Sequence, residues 1–223
     1  MAQAFWEKGI RVVAISTSLG AIYNRKSMDV GELIRLRDRD GSQVVNLFSE
    51  GEKIYKSQLA ELDVDIFSPC AQSYSITSDN AERVAARIVS PGANIPTTTE
   101  AEQALFQRGI LCIPDFVANC GGVLGSSMKR TGLREDYIRR FLEERIGQQA
   151  LEIIEAADKQ NIALGIYAQR IAAERFIRAR ASAERKTMRG KPFNFALEMY
   201  RKGIIPYQLA TPVAPRYFDR RSS

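Results

Sequence analysis

Cys70, Cys112 and Cys120 are the chain's only thiols, and histidine is wholly absent. The three sit in or beside apolar runs without paired short spacing, which fits reduced, buried thiols better than a disulfide framework. No zinc site is expected, because three thiolates would need a fourth ligand and no imidazole can supply it. Without histidine, any acid/base step must fall to Lys, Asp, Glu, Tyr or Cys. Cys70, in IFSPCA, could be named a nucleophile, but no base is recognisable beside it and a small packed residue is the expected reading. No catalytic residue and no metal ligand is assigned. Two glycine-bearing strings remain, GAN at Gly92 and NCGGV at Asn119, each following an apolar run. A GG pair standing alone would be a plain tight turn.

The elements that must position these strings alternate. AQAFWEKG reads as the end of an amphipathic helix stopped by Gly9, and IRVVAIS as a buried, β-branched strand. SMDVGELIRLRDRDG follows as a helix with Ser27 or Asp29 as N-cap and Gly41 as its stop. SQLAELDVDIFSPCA gives a helical lead into a strand, SDNAERVAAR a helix, RIVSPGAN a short strand, TTTEAEQALFQRG a helix and ILCIPD a last apolar strand. This alternation predicts an α/β fold with a doubly wound, Rossmann-like parallel sheet, followed by C-terminal helices. GAN and NCGGV then fall just past strand carboxyl ends, where open α/β sheets bind ligands. Three segments are expected: 1–130 as a partial dinucleotide-binding domain, 131–186 as helices, and 187–223 as a short helix near Phe195 to Arg201 with an extended basic tail.

At 223 residues and 45% hydrophobic, the chain can bury the core of one α/β domain and carry a helical appendage. The net charge of +6 and pI near 9.3 come largely from Arg170–Lys191 and Arg216–Arg221. No aromatic stacking platform accompanies those charges, so they read as a solvated helix face and a basic tail, and nucleic acid is not an expected partner. No run approaches the roughly 18 apolar residues of a membrane span, and MAQAFWEKG lacks the order of a signal peptide. A soluble, cytoplasmic protein with no membrane contact is expected.

TSLGAIYN, LDVDIFSPCA, the run GANIPTTTEAEQALFQRGILCIPDFVANCGGV and the later YAQRIAA are too specific for composition to explain. Together they resemble the cofactor domain of the glutamate/leucine/phenylalanine/valine dehydrogenases, strongly over Ala4 to Ser127 and weakly over Ile146 to Arg178. The resemblance implies oxidation of an L-amino acid, glutamate-like, to a 2-oxo acid and ammonia, with NAD or NADP as cofactor, in an oligomer. It implies that Gly92, Ala93 and Asn94 line the nicotinamide ribose and that Asn119 holds the nicotinamide or substrate side of the cleft. A glycine lets backbone approach a ligand, and an amide side chain both donates and accepts. Pro69, Cys70 and Ala71 fall where the family reads PCA or PAA, beneath the nicotinamide. Gly121, Gly122 and Val123 resemble the turn closing the pocket, and Val123 and Ser126 fall on the substrate side, Ser126 where glutamate-specific members place a serine.

The chain also departs from the pattern. A dinucleotide fold of this type starts with a strand, a G-x-G-x-x-G turn and a helix N-terminus that cradle the pyrophosphate. Here that string is absent and Met1 falls inside the helix, so the resemblance implies a domain truncated at its N-terminus, with an incomplete sheet. Its surviving strands are expected either to leave a gap or to pair directly. Ser16 and Thr17 stand at the first strand's end, where relatives often carry a ribose-binding acid, and Ser16, Ser18 and Arg25 could suit a 2′-phosphate. Tyr74 replaces an asparagine common after PCA. The family's catalytic lysine and aspartate lie in a separate substrate domain that nothing here matches, which counts against cofactor binding and turnover by this chain alone. A homo-oligomer, or a separate chain supplying the N-terminal domain, is the expected partner. The alternative reading is a non-catalytic remnant acting as a binding or protein-interaction module.

Overall fold

The computed structural model describes residues 1–184, 199–200, 204, 206, 212 and 214–221. It forms two compact units, Met1–Cys112 and Ile113–Ser223.

In the first unit, α1 (Ala2–Glu7) ends as the sequence suggests, with Gly9 turning left-handed at φ 76° and its amide donating to the Trp6 carbonyl at 2.9 Å. β1 (Ala14–Thr17), β2 (Gly20–Tyr23) and β3 (Glu52–Ile54) make an antiparallel sheet in the order β1-β2-β3, with Ile15 opposite Ile22 and Ala21 opposite Ile54. IRVVAIS is therefore not a strand of the parallel sheet. Thr17 pairs with Gly20 across a two-residue turn, and Gly20, at φ 154°, reverses the chain before a crossover helix can form. α2 (Val30–Asp40) and α3 (Val44–Leu47) fill the connection from β2 to β3. The Asp29 carboxylate caps α2 by accepting the Glu32 amide at 2.9 Å, and Gly41 ends it at φ 62°. Leu33 and Leu36 bury against Ile22, Val44, Val45 and Phe48.

β4 (Ile66–Phe67), β5 (Ile88–Val89) and β6 (Leu111–Cys112) form the parallel sheet, so the α/β class with a parallel layer and following helices holds. A 3-10 turn at Lys56–Glu61 leads into β4. The crossover from β5 to β6 is α4 (Thr99–Gln107), capped by the Thr98 hydroxyl accepting the Ala101 amide. SDNAERVAAR does not become a full helix; only Ala81–Arg83 turns, as 3-10. The amides of Ala85 and Arg87 are instead drawn to the Ala60 and Val64 carbonyls, at 3.0 and 3.4 Å. Arg108 at the end of α4 donates to the Val84 carbonyl at 2.8 Å and to that of Ala81, so its guanidinium ties the helix to this turn. Ile76, Val84, Val89, Ala101 and Leu105 are wholly buried around these elements. Among the described residues the two sheets share no strand, and β1 does not pair with β4.

The second unit is helical: α5 (Asp115–Ala118), α6 (Gly121–Arg130), α7 (Glu135–Phe141), a π-helical turn at Leu142–Ile146, α8 (Gly147–Gln160), α9 (Leu164–Glu184) and α10 (Ala214–Arg221). The extended tail is corrected at α10. Pro215 sits in its first turn, where a missing amide costs nothing, and Ala214 and Phe218 bury on one face with Met128, Ile138 and Phe141. Apart from Met199 and Tyr200, the expected helix near Phe195 to Arg201 lies outside the described residues. No described helix is long and apolar enough to cross a membrane.

Tyr74 and Ile95 stand left-handed at φ 57° and 47°, and the Tyr74 amide donates to the Ile95 carbonyl at 2.8 Å. Each is mostly exposed, so little packing repays the strain. Ile95→Gly is expected to raise unfolding free energy in urea by about 1 kcal/mol, with Tyr74→Asn acting in the same direction. Cys112 generates a second expectation. Burial, chiefly, and Glu102 next push its thiol from 9.0 up to about 12, while the Thr97 hydroxyl opposes. The folded state then holds a proton that the unfolded state releases. Stability should fall as pH rises from 9.0 toward about 12, by at most about 1.4 kcal/mol per pH unit from this group. Cys112→Ala should flatten that slope in denaturation curves.

Candidate functional site

The carboxyl ends of β4 and β5 lie side by side because the strands are parallel, with Phe67 opposite Val89. The chain leaves both at the same edge, and the two loops lock together. The Pro69 carbonyl accepts the Gly92 amide at 3.0 Å and the Ala93 amide at 3.1 Å. The Ser68 hydroxyl donates to the Ser90 carbonyl at 2.6 Å, and that of Ser73 to the Asn94 carbonyl at 2.7 Å. Pro69, Cys70, Ala71, Gly92, Ala93 and Asn94, singled out from two distant strings, are thus one contiguous surface. Pro69 and Ala93 are its buried floor, while Cys70, Ala71, Gly92 and Asn94 are exposed.

Closeness of approach favours glycine at position 92. A Cβ there would stand 2.8 Å from Cys70 Sγ and 3.3 Å from Met1 Cε. The expectation that all three thiols are buried is corrected at Cys70. They are free, but only Cys112 is buried; Cys120 is half-buried, its thiol raised by desolvation, and Cys70 is exposed because its loop lies beyond the sheet edge. The surface can offer backbone and a flat, small-residue wall to a ligand. No acid/base pair has been brought onto it.

Ser16 and Thr17 lie elsewhere in the unit, in the antiparallel sheet. The Thr17 hydroxyl donates to the Ser42 carbonyl at 2.9 Å and accepts the Leu19 amide at 3.2 Å, so it is engaged in holding the turn; Ser16 is exposed. Arg25 follows the far end of β2, where the Asn24 amide donates to the Val13 carbonyl at 2.7 Å, and the hairpin carries it away from Ser18. Sequence reasoning passed over Lys53 and Lys56, which the fold returns to the hairpin: Lys56 Nζ donates to the Ser18 carbonyl at 3.2 Å. Their only sequence signal is their two-sided placement around Tyr55, which by itself is common.

Asn119, Val123 and Ser126 belong to the second unit. Asn119 follows α5, its amide donating to the Asp115 carbonyl at 2.8 Å. Gly121, Gly122 and Val123 are not a pocket-closing turn but the first turn of α6. Val123 is 77% exposed. Ser126, three residues on, borders a cavity of about 490 Å³ between α6 and α7 with Gly122, Gly125, Ile138 and Leu142. At its rim the Lys129 ammonium donates to Glu135 Oε1 at 2.7 Å, which raises the lysine's proton affinity and lowers that of the carboxylate.

A family profile described as glutamate/leucine/phenylalanine/valine dehydrogenase matches residues 1–183. A glutamate dehydrogenase of Thermotoga maritima is 39% identical over 175 residues, covering 76% of this chain and 42% of that protein. An NAD-specific glutamate dehydrogenase of Staphylococcus aureus is 39% identical over 157 residues, covering 70% of this chain and 37% of its own length. The crystal structure of a hetero-hexameric glutamate dehydrogenase from Thermus thermophilus, in a Leu-bound form, superposes with a TM-score of 0.67 at 25% identity, over 78% of this chain and 42% of that one. The chain thus spans about two fifths of the length of the curated relatives it matches. With most of its residues under the profile and a 39% identical relative across three quarters of its length, the chain belongs to the glutamate/leucine/phenylalanine/valine dehydrogenase family.

Proposed function

We infer that this chain is the cofactor-domain part of an NAD(P)-dependent amino acid dehydrogenase that deaminates a glutamate-like L-amino acid oxidatively to a 2-oxo acid. The observation that carries the reading is the locked pair of loops after β4 and β5, where Pro69 accepts from both Gly92 and Ala93. Such a pair at strand carboxyl ends is where open parallel sheets receive a dinucleotide. The family match and the glutamate dehydrogenases among the relatives support the substrate class.

When bound, the nicotinamide supplies the hydride acceptor. The wall fits that end of the cofactor: Gly92 brings bare backbone to the surface beside the buried Ala93, and Cys70 and Ala71 keep it low. The pyrophosphate end is different, because no two glycines in the 223 residues stand two apart, as a G-x-G turn requires. For Asn119 and Ser126, in the second unit, a cofactor- and substrate-binding role rests on the family resemblance alone. The lysine and aspartate that activate water and move protons would lie on a part of the enzyme outside the matched segment.

The purified chain should show no glutamate or leucine oxidation at 340 nm with either nucleotide. In a two-dimensional NMR titration, reduced nicotinamide mononucleotide should shift the amides of Cys70, Ala71, Gly92, Ala93 and Asn94. Turnover by the chain alone would overturn its dependence on residues outside the matched segment. Shifts confined to other segments would favour a non-catalytic binding module, for which the exposed Phe176 and Ile177 of α9 are the surface. Gly92→Ala should destabilise the first unit by about 1–3 kcal/mol and weaken the mononucleotide shifts. Adding Cys70→Ala should recover most of that stability, which a double-mutant cycle in urea would measure.

A further inference from the structure

The second unit carries both an exposed apolar protrusion and an open apolar groove. The first half of α9 is anchored, with Leu164 and Ala168 buried, but from Ala172 to Ala181 every residue is exposed. Ala173, Phe176, Ile177 and Arg180 fall at helical spacing on one side of that projecting half. Phe176 is 68% and Ile177 65% exposed, so two large side chains stand together in water, where burial would favour them. The groove is the cavity of about 490 Å³ between α6 and α7, with bare Gly122 and Gly125 on one wall and Ile138 and Leu142 on the other. A Cβ at Gly125 would touch Ile138 and Leu142 at 3.5 Å, whereas one at Gly122 would meet nothing within 4 Å. Room for an incoming side chain therefore lies over Gly122.

The charges decide between occupants. From Arg170 to Arg180, α9 holds four arginines and one carboxylate, Glu174. Two α9 faces laid together would set those cations against one another, which disfavours an α9–α9 pair. The rim of the groove instead carries Glu135 and Glu143, whose side chains are 81% and 45% exposed. Each already accepts from one cation, Lys129 at 2.7 Å and Arg139 at 3.2 Å. A carboxylate has about four lone-pair sites, so each can also accept from an arriving guanidinium. Phe176 stays exposed in its own chain, so a Phe176 that enters this groove comes from another copy.

We propose that the Phe176–Ile177 protrusion of one copy seats in the α6–α7 groove of a second copy of this chain. The two surfaces differ, so the contact is head-to-tail, and a growing assembly always presents one unused protrusion and one unused groove. In sedimentation velocity on the full chain from about 1 to about 100 μM at low salt, the weight-average coefficient should climb with concentration past that of a dimer. Association should weaken as salt is added. Phe176→Ser and Gly122→Leu should each weaken it at least about tenfold. Phe176 is exposed, and leucine at position 122 gains open space and a better helix propensity, so both variants should fold, which circular dichroism would verify. Mixed in equal amounts, the two variants should combine as a 1:1 complex that grows no further, because the first retains the groove and the second the protrusion. A wild-type chain that stays monomeric, association untouched by either variant, or variants that fail to combine when mixed would each overturn the assignment.

Discussion

Two strands of two residues each, running the same way, set where everything else in the first unit's ligand-facing edge can go. Ile66 stands opposite Ile88 and Phe67 opposite Val89, so both chains emerge at one edge of the sheet. Strands this short supply few ladder bonds, and the loops continue the pairing with bonds of their own. Pro69 takes two amides from the neighbouring loop, Ser68 and Ser73 reach across to its carbonyls, and the Tyr74 and Ile76 amides go to Ile95 and Pro96. The left-handed backbone at Tyr74 and Ile95 follows from this zipper, since each loop must turn sharply where it joins the other. The bare Cα of Gly92 follows too, because Cys70 fills the space a Cβ would need.

The zipper holds because the layer beneath it is dry and fixed. Leu105 and Ala101 of α4 and Val84 of the preceding turn are fully buried against Val89 and Ile76. Arg108 adds a directional tie at the one place where a turn has replaced a helix, its charged donors satisfying carbonyls that would otherwise face the core. Among the described residues no buried side-chain polar atom lacks a partner. The wall is therefore shaped before any ligand arrives.

Much of this was legible in the sequence where one residue carries a local instruction. Asp29 and Thr98 cap helices, Gly9 and Gly41 stop them, and the strings around Pro69 and Gly92 mark the loops that meet. What failed was governed by partners distant in sequence. The hairpin after Thr17 needed recognition that Ser18 and Leu19 form a two-residue turn, with β3 returning to pair with β2. SDNAERVAAR has helical composition, but Ala60 and Val64 compete for its amides. Gly121 and Gly122 look like a turn and lie in a helix, because the residues after them, not the pair itself, set the period. The tail expected to be extended contains a helix at Ala214–Arg221, since Pro215 falls in its first turn, where proline opposes no helix.

A wall whose hydrogen bonds are already made can position a nicotinamide but gains little from meeting it. Pro69, Gly92 and Ala93 have traded their main-chain bonds with one another, so contact there offers shape and apolar area. Affinity must come from groups whose interactions are not yet used. In the first unit the lysines at the hairpin are such groups, since a carbonyl and an amide oxygen leave most of an ammonium's attraction for an anion unspent.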